Sequence, residues 1–272
     1  MQTIRPLVGA AIKSDALAGH LDWILTHQRD LEIQDPTLAH FFEQDWQPIA
    51  TQVRTQLHNY TGRLGIHAPF AGIDIACRDR AIQAVVQQRL IQALDFAEAI
   101  GATHMVVHSP FVCFGSAHSA IQPKTLEQSI AIAQQTMQPV LQRAQICGCT
   151  IVIETILDQH PSHLRAFISA FASPLVRQSI DVGHVRITHA RGGASITEWI
   201  RQNGDLLHHV HLQDNDGSFD AHWAPGQGDI NFTAVFATLA THAPQVRLLL
   251  ELNHADLVIP GWQHLVNLGI AH

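Results

Sequence analysis

Short apolar runs alternate with longer stretches of three-to-four-residue apolar spacing along this chain. The runs are Leu7–Ile12, Leu31–Gln34, Arg63–Pro69, His104–Ser109, Thr150–Thr155, Arg177–Val182, Leu207–Leu212 and Val246–Leu252. Met105-Val106-Val107 and Leu248-Leu249-Leu250 are apolar at every position. Such strands must be covered on both faces, as parallel strands in a closed or helix-covered sheet are. The clearest helical stretch is Asp79–Ile100. There Ile82, Val85, Val86, Arg89, Leu90, Ala93, Leu94, Ala97 and Ile100 trace one broad stripe, and Gly101 supplies the terminating glycine. Thr125–Ile146 has the same spacing, but Pro139 predicts a kink or interruption. Phe232–Thr241 and Asp256–Leu268 are shorter helical segments, the latter with Pro260 near its start.

Eight strands and about eight helices in 272 residues fit a single (β/α)8 TIM barrel, typically about 250 residues long. An open doubly wound sheet would carry a glycine-rich phosphate loop after its first strand. The corresponding turn reads Ile12-Lys13-Ser14-Asp15. With no linker, repeat or composition break, residues 1–272 are expected to form one domain.

Composition narrows the function classes. Sixteen Lys and Arg against 23 Asp and Glu give −7, and the only lysines are Lys13 and Lys124. A duplex-binding surface needs cations along the phosphate backbone, so a nucleic-acid partner is disfavoured. No apolar run reaches a membrane-spanning length, and Met1–Pro6 lacks the apolar stretch of a signal peptide. The expectation is a cytoplasmic protein with no membrane partner; association into a homo-oligomer stays open. Cys77, Cys113, Cys147 and Cys149 form no CxxC pair and read as reduced, buried thiols. The 20 histidines outnumber Lys and Arg together. Since histidine is the commonest metal ligand, their positions matter.

Those positions cluster where strands end. Strand three closes on Ile66-His67-Ala68-Pro69-Phe70, strand four on Val107-His108-Ser109-Pro110-Phe111, and strand five on Ile153-Glu154-Thr155. Strand six closes on Asp181-Val182-Gly183-His184, strand seven on His209-Val210-His211-Leu212, and strand eight on Leu250-Glu251. In a barrel all these ends meet on one face, where active sites sit. Ionisable groups closing apolar strands need partners, and a shared cation supplies one. Carboxylate and imidazole donors suit Zn, Mn, Fe or Co. Glu154, Asp181, His211 and Glu251 are the expected ligands of one divalent metal. Asp220 and His222, two apart in the long loop after strand seven, with His67, His108 and His184, could complete a second or third position. Gly226 and Gly228 in that loop permit close approach to a ligand. Asp214 and Asp216 read as turn formers. His209 reads as a filled interior position or a partner of His211.

This arrangement resembles the xylose isomerase-like superfamily of TIM barrels. The resemblance rests on Ser179-Ile180-Asp181-Val182-Gly183-His184, on His211 to Asp214, and on Asp220-Ala221-His222 running into Gly226-Gln227-Gly228-Asp229-Ile230. It runs from His67 to Glu251 at least. It implies two chemistries. The superfamily's sugar and sugar-phosphate isomerases and epimerases hold one ion with residues matching Glu154, Asp181, His211 and Glu251, and their two glutamates move the proton. Its endonuclease IV branch holds three zinc ions with nine ligands, matching His67, His108, Glu154, Asp181, His184, His211, Asp220, His222 and Glu251.

Charge separates the two. A chain of −7 is poorly suited to a duplex, and Asp181-Val182-Gly183-His184 lacks the Thr-Cys usual before that histidine in the repair branch. Arg78, Arg80, Arg186 and Arg191 suffice for one small phosphorylated substrate. The favoured expectation is therefore a metal-dependent isomerase or epimerase of a sugar or sugar phosphate, with a cofactor of one to three divalent ions. Glu154 and Glu251 would act as acid and base, His184 would hydrogen-bond a substrate oxygen, and Phe70, Phe111 and Trp223 would exclude water. The alternatives are a multi-zinc phosphodiester hydrolase of the abasic-site endonuclease class, a metal-dependent dehydratase or lyase, and a barrel retained as a binding module.

Overall fold

The computed structural model describes residues 5–111 and 123–272; Cys113 lies outside them. Eight parallel strands close into a barrel in sequence order: β1 (Gly9–Ile12), β2 (Leu31–Ile33), β3 (Leu64–His67), β4 (His104–His108), β5 (Thr150–Glu154), β6 (Val176–Asp181), β7 (Leu207–Leu212) and β8 (Arg247–Glu251). The predicted (β/α)8 fold is the observed one. Around the strands run α1 (Leu21–His27), α2 (Gln47–Gln56), α3 (Arg80–Ile100), α4 (Pro123–Cys147), α5 (Pro161–Ala170), α6 (Val182–His189), α7 (Ile196–Asn203), α8 (Phe232–His242) and α9 (Val258–Asn267).

Local chemistry sets the helix ends. The Asp79 carboxylate caps α3 by accepting from the backbone of Ala81 and Ile82, and Gly101 closes it at φ 78°. Ser195 and Glu198 form a capping box at the start of α7. Of the kink or interruption expected at Pro139, the interruption does not occur: α4 continues through it from Pro123 to Cys147. Val140 and Ala144, beyond the proline, are fully buried, as are Ala133 and Met137 before it. Packing on both sides holds the helix together against the lost backbone hydrogen bond. No helix among the described residues is long and apolar enough to cross a membrane.

Strand parity divides two cores. Ile66, Met105, Val107, Ile151, Ile153, Ile180, Val210, Leu248 and Leu250 belong to the buried layer between sheet and helices. Their alternates point to the barrel axis, because neighbouring residues in parallel register share a face. Ala11 pairs with both Glu32 and Glu251, and Glu32 with Gly65. His108 pairs with Glu154, and Glu154 with Ser179. A register shift at Gln178 and Ser179 then sets Ser179 against His209 and Asp181 against His211. The axial core is thus unusually polar, and its upper layer consists of the strand-end residues singled out above.

Candidate metal centre

The nine predicted ligands meet at the C-terminal mouth of the barrel. His67, His108 and Glu154 end β3, β4 and β5. His67 Nε2 and His108 Nε2 stand 3.6 and 3.4 Å from Glu154 Oε2. The other oxygen of Glu154 lies 2.5 Å from His211 Nδ1, and Glu251 Oε2 approaches the same nitrogen at 3.1 Å. Helix α6 follows β6 without a loop, so Asp181 is both the last strand residue and the helix cap. Its Oδ1 accepts from the backbone N–H of His184 at 2.8 Å. That hydrogen bond aims Asp181 Oδ2 into the cluster, where it is buried with no hydrogen-bond partner among the described residues. Across the mouth, Asp220 Oδ2 lies 3.1 Å from His184 Nε2 and 3.2 Å from His222 Nε2.

Three groupings bring donor atoms within 4.8 Å of one another around this mouth: Glu154, Asp181, His211 and Glu251; His67, His108 and Glu154; and Asp181, His184 and His222. Glu154 and Asp181 are each shared by two of them. The donors are carboxylates and imidazoles without thiolate, as a borderline or hard divalent cation prefers. The partnerless oxygen of Asp181 supports that fit from the structure itself, since a buried carboxylate oxygen with nothing to bind is costly.

Electrostatics lead to the same place. Burial alone would raise Glu154, but the His211 charge and its hydrogen bonds outweigh this and hold the carboxyl well below its ordinary range. At Asp181 burial outweighs the charges of His184 and His222 and pushes the carboxyl up to about 6. His211 and His184 are held well above the ordinary histidine value, because the surrounding carboxylates overcome their burial. His108 goes the other way, to about 3, through burial and the neighbouring charge of His67. Without a cation, protons on imidazoles balance the carboxylates; a divalent ion would replace them.

Above the cluster lies a cavity of about 590 Å³, lined among others by Gln34, Thr37, Phe70, Ile156, Leu252 and Asn253. Phe70 stacks on His108 at 4.6 Å between ring centres, as a wall of the site should. Two other expected walls are absent from the lining. Phe111 packs edge-on against Phe167, and Trp223 packs edge-on against Phe219. The expected rim arginines do not line it either. Arg186 makes a two-pronged contact with Asp229, Arg78 donates to Gln128, and Arg191 points to the Ser218 carbonyl. Among the described residues no Lys or Arg lines this cavity.

Three residues of the site escaped the sequence reading. Glu32, in the middle of β2, is 1% exposed and lies 3.1 Å from His211 Nε2. Its signal was an acid flanked by Leu31 and Ile33 in an otherwise buried strand. Gln34 donates through Nε2 to Glu251 Oε1. Gln213, fully buried, donates to Asp220 Oδ1 at 2.7 Å and accepts from the His222 backbone at 3.2 Å. A buried glutamine two residues after a ligand looks like ordinary strand-end sequence. Gly228 also differs from expectation. Its missing Cβ makes room for Asp214 Oδ1 and the Asn215 carbonyl, each 2.4 Å from where that atom would stand, rather than for a ligand.

A family model described as the xylose isomerase-like TIM barrel matches residues 30–267. The chain belongs to this family. A protein from Methanocaldococcus jannaschii, named only as the uncharacterized protein MJ1311, is 24% identical over 186 residues, covering 66% of this chain and 61% of its own length. Among solved structures, the TTHB071 protein from Thermus thermophilus, soaked with ZnCl2, aligns with a TM-score of 0.71 at 24% identity over 96% of this chain and 98% of its own. A D-tagatose 3-epimerase-like protein aligns at 0.75 and 17% identity over 96% of both chains. The E. coli 3-keto-D-glucoside 4-epimerase YcjR aligns at 0.72 and 15% over 97% of this chain and 99% of its own. At these identities the likeness is one of fold.

Proposed function

We propose that this barrel is a divalent-metal-dependent isomerase or epimerase acting on a neutral sugar. The observation that carries this reading is the convergence of Glu154 and Glu251 on His211 Nδ1 beneath the cavity. Its described lining offers amides and a hydroxyl from Gln34, Asn253 and Thr37, and no Lys or Arg for a phosphate. The epimerase folds it resembles support the same reading.

Glu154, Asp181, His211 and Glu251 would hold the ion. When bound, it supplies positive charge to a substrate carbonyl and adjacent hydroxyl oxygen, easing loss of the neighbouring carbon-bound proton. The protein's own groups do the rest. Glu154 and Glu251 come from β5 and β8 and can take up and return that proton on two sides of a bound sugar. Gln34 fixes Glu251 through one oxygen and leaves the other facing the cluster. Phe70, Ile156 and Leu252 cover the apolar face of a sugar ring and reduce water access. His184 has both ring nitrogens engaged, by the Thr155 carbonyl at 2.9 Å and by Asp220, which suits a ligand better than a substrate contact. Return of the proton to the same carbon gives epimerisation, and to its neighbour gives isomerisation.

The test is solvent-deuterium incorporation across a panel of ketoses and aldoses with their phosphates. Wild-type protein loaded with Mn, Co or Zn should exchange a proton on at least one neutral sugar, and Glu251→Gln should abolish that exchange. Exchange unchanged in the variant would remove Glu251 from the role of base.

A second reading, hydrolysis of a phosphate ester by several ions, draws support from the sharing of Glu154 and Asp181 between groupings. Ions about 3.5–4 Å apart could then share a hydroxide. Three ions per chain together with cleavage of an abasic-site oligonucleotide would favour it over the sugar reading.

A further inference from the structure

We propose that Glu32 is a positioning residue that holds His211 in the tautomer with its proton on Nε2, so that Nδ1 presents a lone pair to the cluster. This rests on the reading of Glu154, Asp181, His211 and Glu251 as a metal site.

The geometry is a buried column beneath that site. Glu32 sits at the centre of β2, across the barrel from β7, with its side chain 2% exposed. Its Oε1 lies 3.1 Å from His211 Nε2. Its Oε2 lies 3.1 Å from His209 Nε2, off the line of a hydrogen bond but close enough for charge attraction. His209 is held in turn by Ser179 Oγ, 2.8 Å from its Nδ1. The two imidazole rings stand 4.5 Å apart and nearly perpendicular, so one carboxylate meets both.

A neutral imidazole carries its proton on one nitrogen only. His211 Nδ1 faces Glu154 Oε1 at 2.5 Å and Glu251 Oε2 at 3.1 Å. Two acceptors on that side pull the proton toward Nδ1, which would block it as a ligand. Glu32 is the opposing acceptor and is fully removed from water. With a cation among the upper carboxylates, the proton settles on Nε2 and is donated to Glu32. A carboxylate behind a ligating histidine also raises the basicity of the ring, and loss of such a partner typically lowers metal affinity about 10–100-fold. Glu32 touches no substrate-facing cavity surface and takes no part in proton transfer to the sugar; it acts through His211.

The experiment compares wild type, Glu32→Gln and Glu32→Asp. Cobalt(II) and zinc affinities are measured by titration calorimetry, and the His211 ring is observed by long-range 1H–15N correlation in the zinc-loaded proteins. Wild type should show the Nε2–H tautomer at His211. Glu32→Gln should bind each ion about 10–100-fold more weakly and shift the cobalt absorption bands, while Glu32→Asp, which keeps the charge, should recover part of the affinity. Unchanged affinity and tautomer in Glu32→Gln would overturn the proposal while leaving the metal site intact. So would an Nδ1–H tautomer at His211 in loaded wild type, a measurement that needs no variant to fold. Wild type that takes up neither ion would overturn the metal reading and this proposal with it.

Discussion

The carboxylate of Asp214 and the backbone of Gly228 hold together the loop that carries Asp220 and His222. Asp214 Oδ2 accepts from the N–H of Gly228 at 2.9 Å and of Gly226 at 2.8 Å. Its Oδ1 accepts from Asn215 at 3.0 Å and Ile230 at 3.1 Å. A buried side chain thus gathers four backbone donors, three of them from across the loop. Gly226 at φ 94° makes the turn, and Gly228 leaves space for the carboxylate. Hydrogen bonds to a charged group are worth about 1.5–3 kcal/mol each, and orphaned buried N–H groups add a cost of their own. Asp214→Ala should therefore lower stability by at least about 3 kcal/mol in urea unfolding. Limited proteolysis should cut first between residues 215 and 229. A variant with wild-type stability and no new cut in that stretch would show that the loop is held by other contacts.

Space, not backbone freedom, dictates glycine at position 183. It lies in the first turn of α6, and a Cβ there would stand 2.1 Å from Gln213 Cδ and 2.3 Å from its Oε1. Gln213 is the residue that ties Asp220 and the His222 backbone to the barrel. Gly183→Ala must push it out, at about the 1–3 kcal/mol typical of overpacking. The same displacement frees Asp220 to move away from His184. The check is a double-mutant comparison by thermal unfolding. Gln213→Ala should be destabilising in the parent but should cost much less, or nothing, in Gly183→Ala. Strictly additive losses would mean that Gly183 and Gln213 do not conflict.

What the sequence made legible follows the physics of each signal. Eight apolar runs gave the barrel because parallel strands are buried on both sides, and their polar last residues marked the mouth because nothing else explains a Glu, Asp or His there. All nine named ligand candidates lie within this mouth. Glu32 left a trace, an acid between Leu31 and Ile33, that does not name its partner His211, and Gln34 and Gln213 left none, since their meaning depends on the residue each one reaches. Phe111 and Trp223 were misplaced for a related reason. An aromatic after a strand end can turn into the cavity or away from it: Phe111 packs on buried Phe167 of α5, and Trp223 on Phe219 of its own loop. The rim arginines were assigned by proximity in sequence, but Asp229 claims Arg186.

Asp158 gives the fold a specific pH dependence apart from the ligands. It ties the loops after β4 and β5 together, accepting from Ser109 Oγ and from the Ile156 N–H, each at 2.9 Å. Burial raises its carboxyl from 3.8 to about 6, and those hydrogen bonds offset this only in part. The folded protein then binds a proton more tightly here than the unfolded chain does. Asp158 therefore contributes stability that is fully present below about pH 3.8 and is lost as the pH rises through about 6. Across that window the change amounts to on the order of 3 kcal/mol. Asp158→Asn carries no titrating proton and lacks this slope. In metal-stripped protein, the stability of wild type minus that of Asp158→Asn, measured by urea unfolding at several points between about pH 4 and 7, should fall as the pH rises. A difference that stays flat would mean that Asp158 titrates near its ordinary value. One that rises with pH would reverse the sign and mean that the neighbouring charge of His184 outweighs burial.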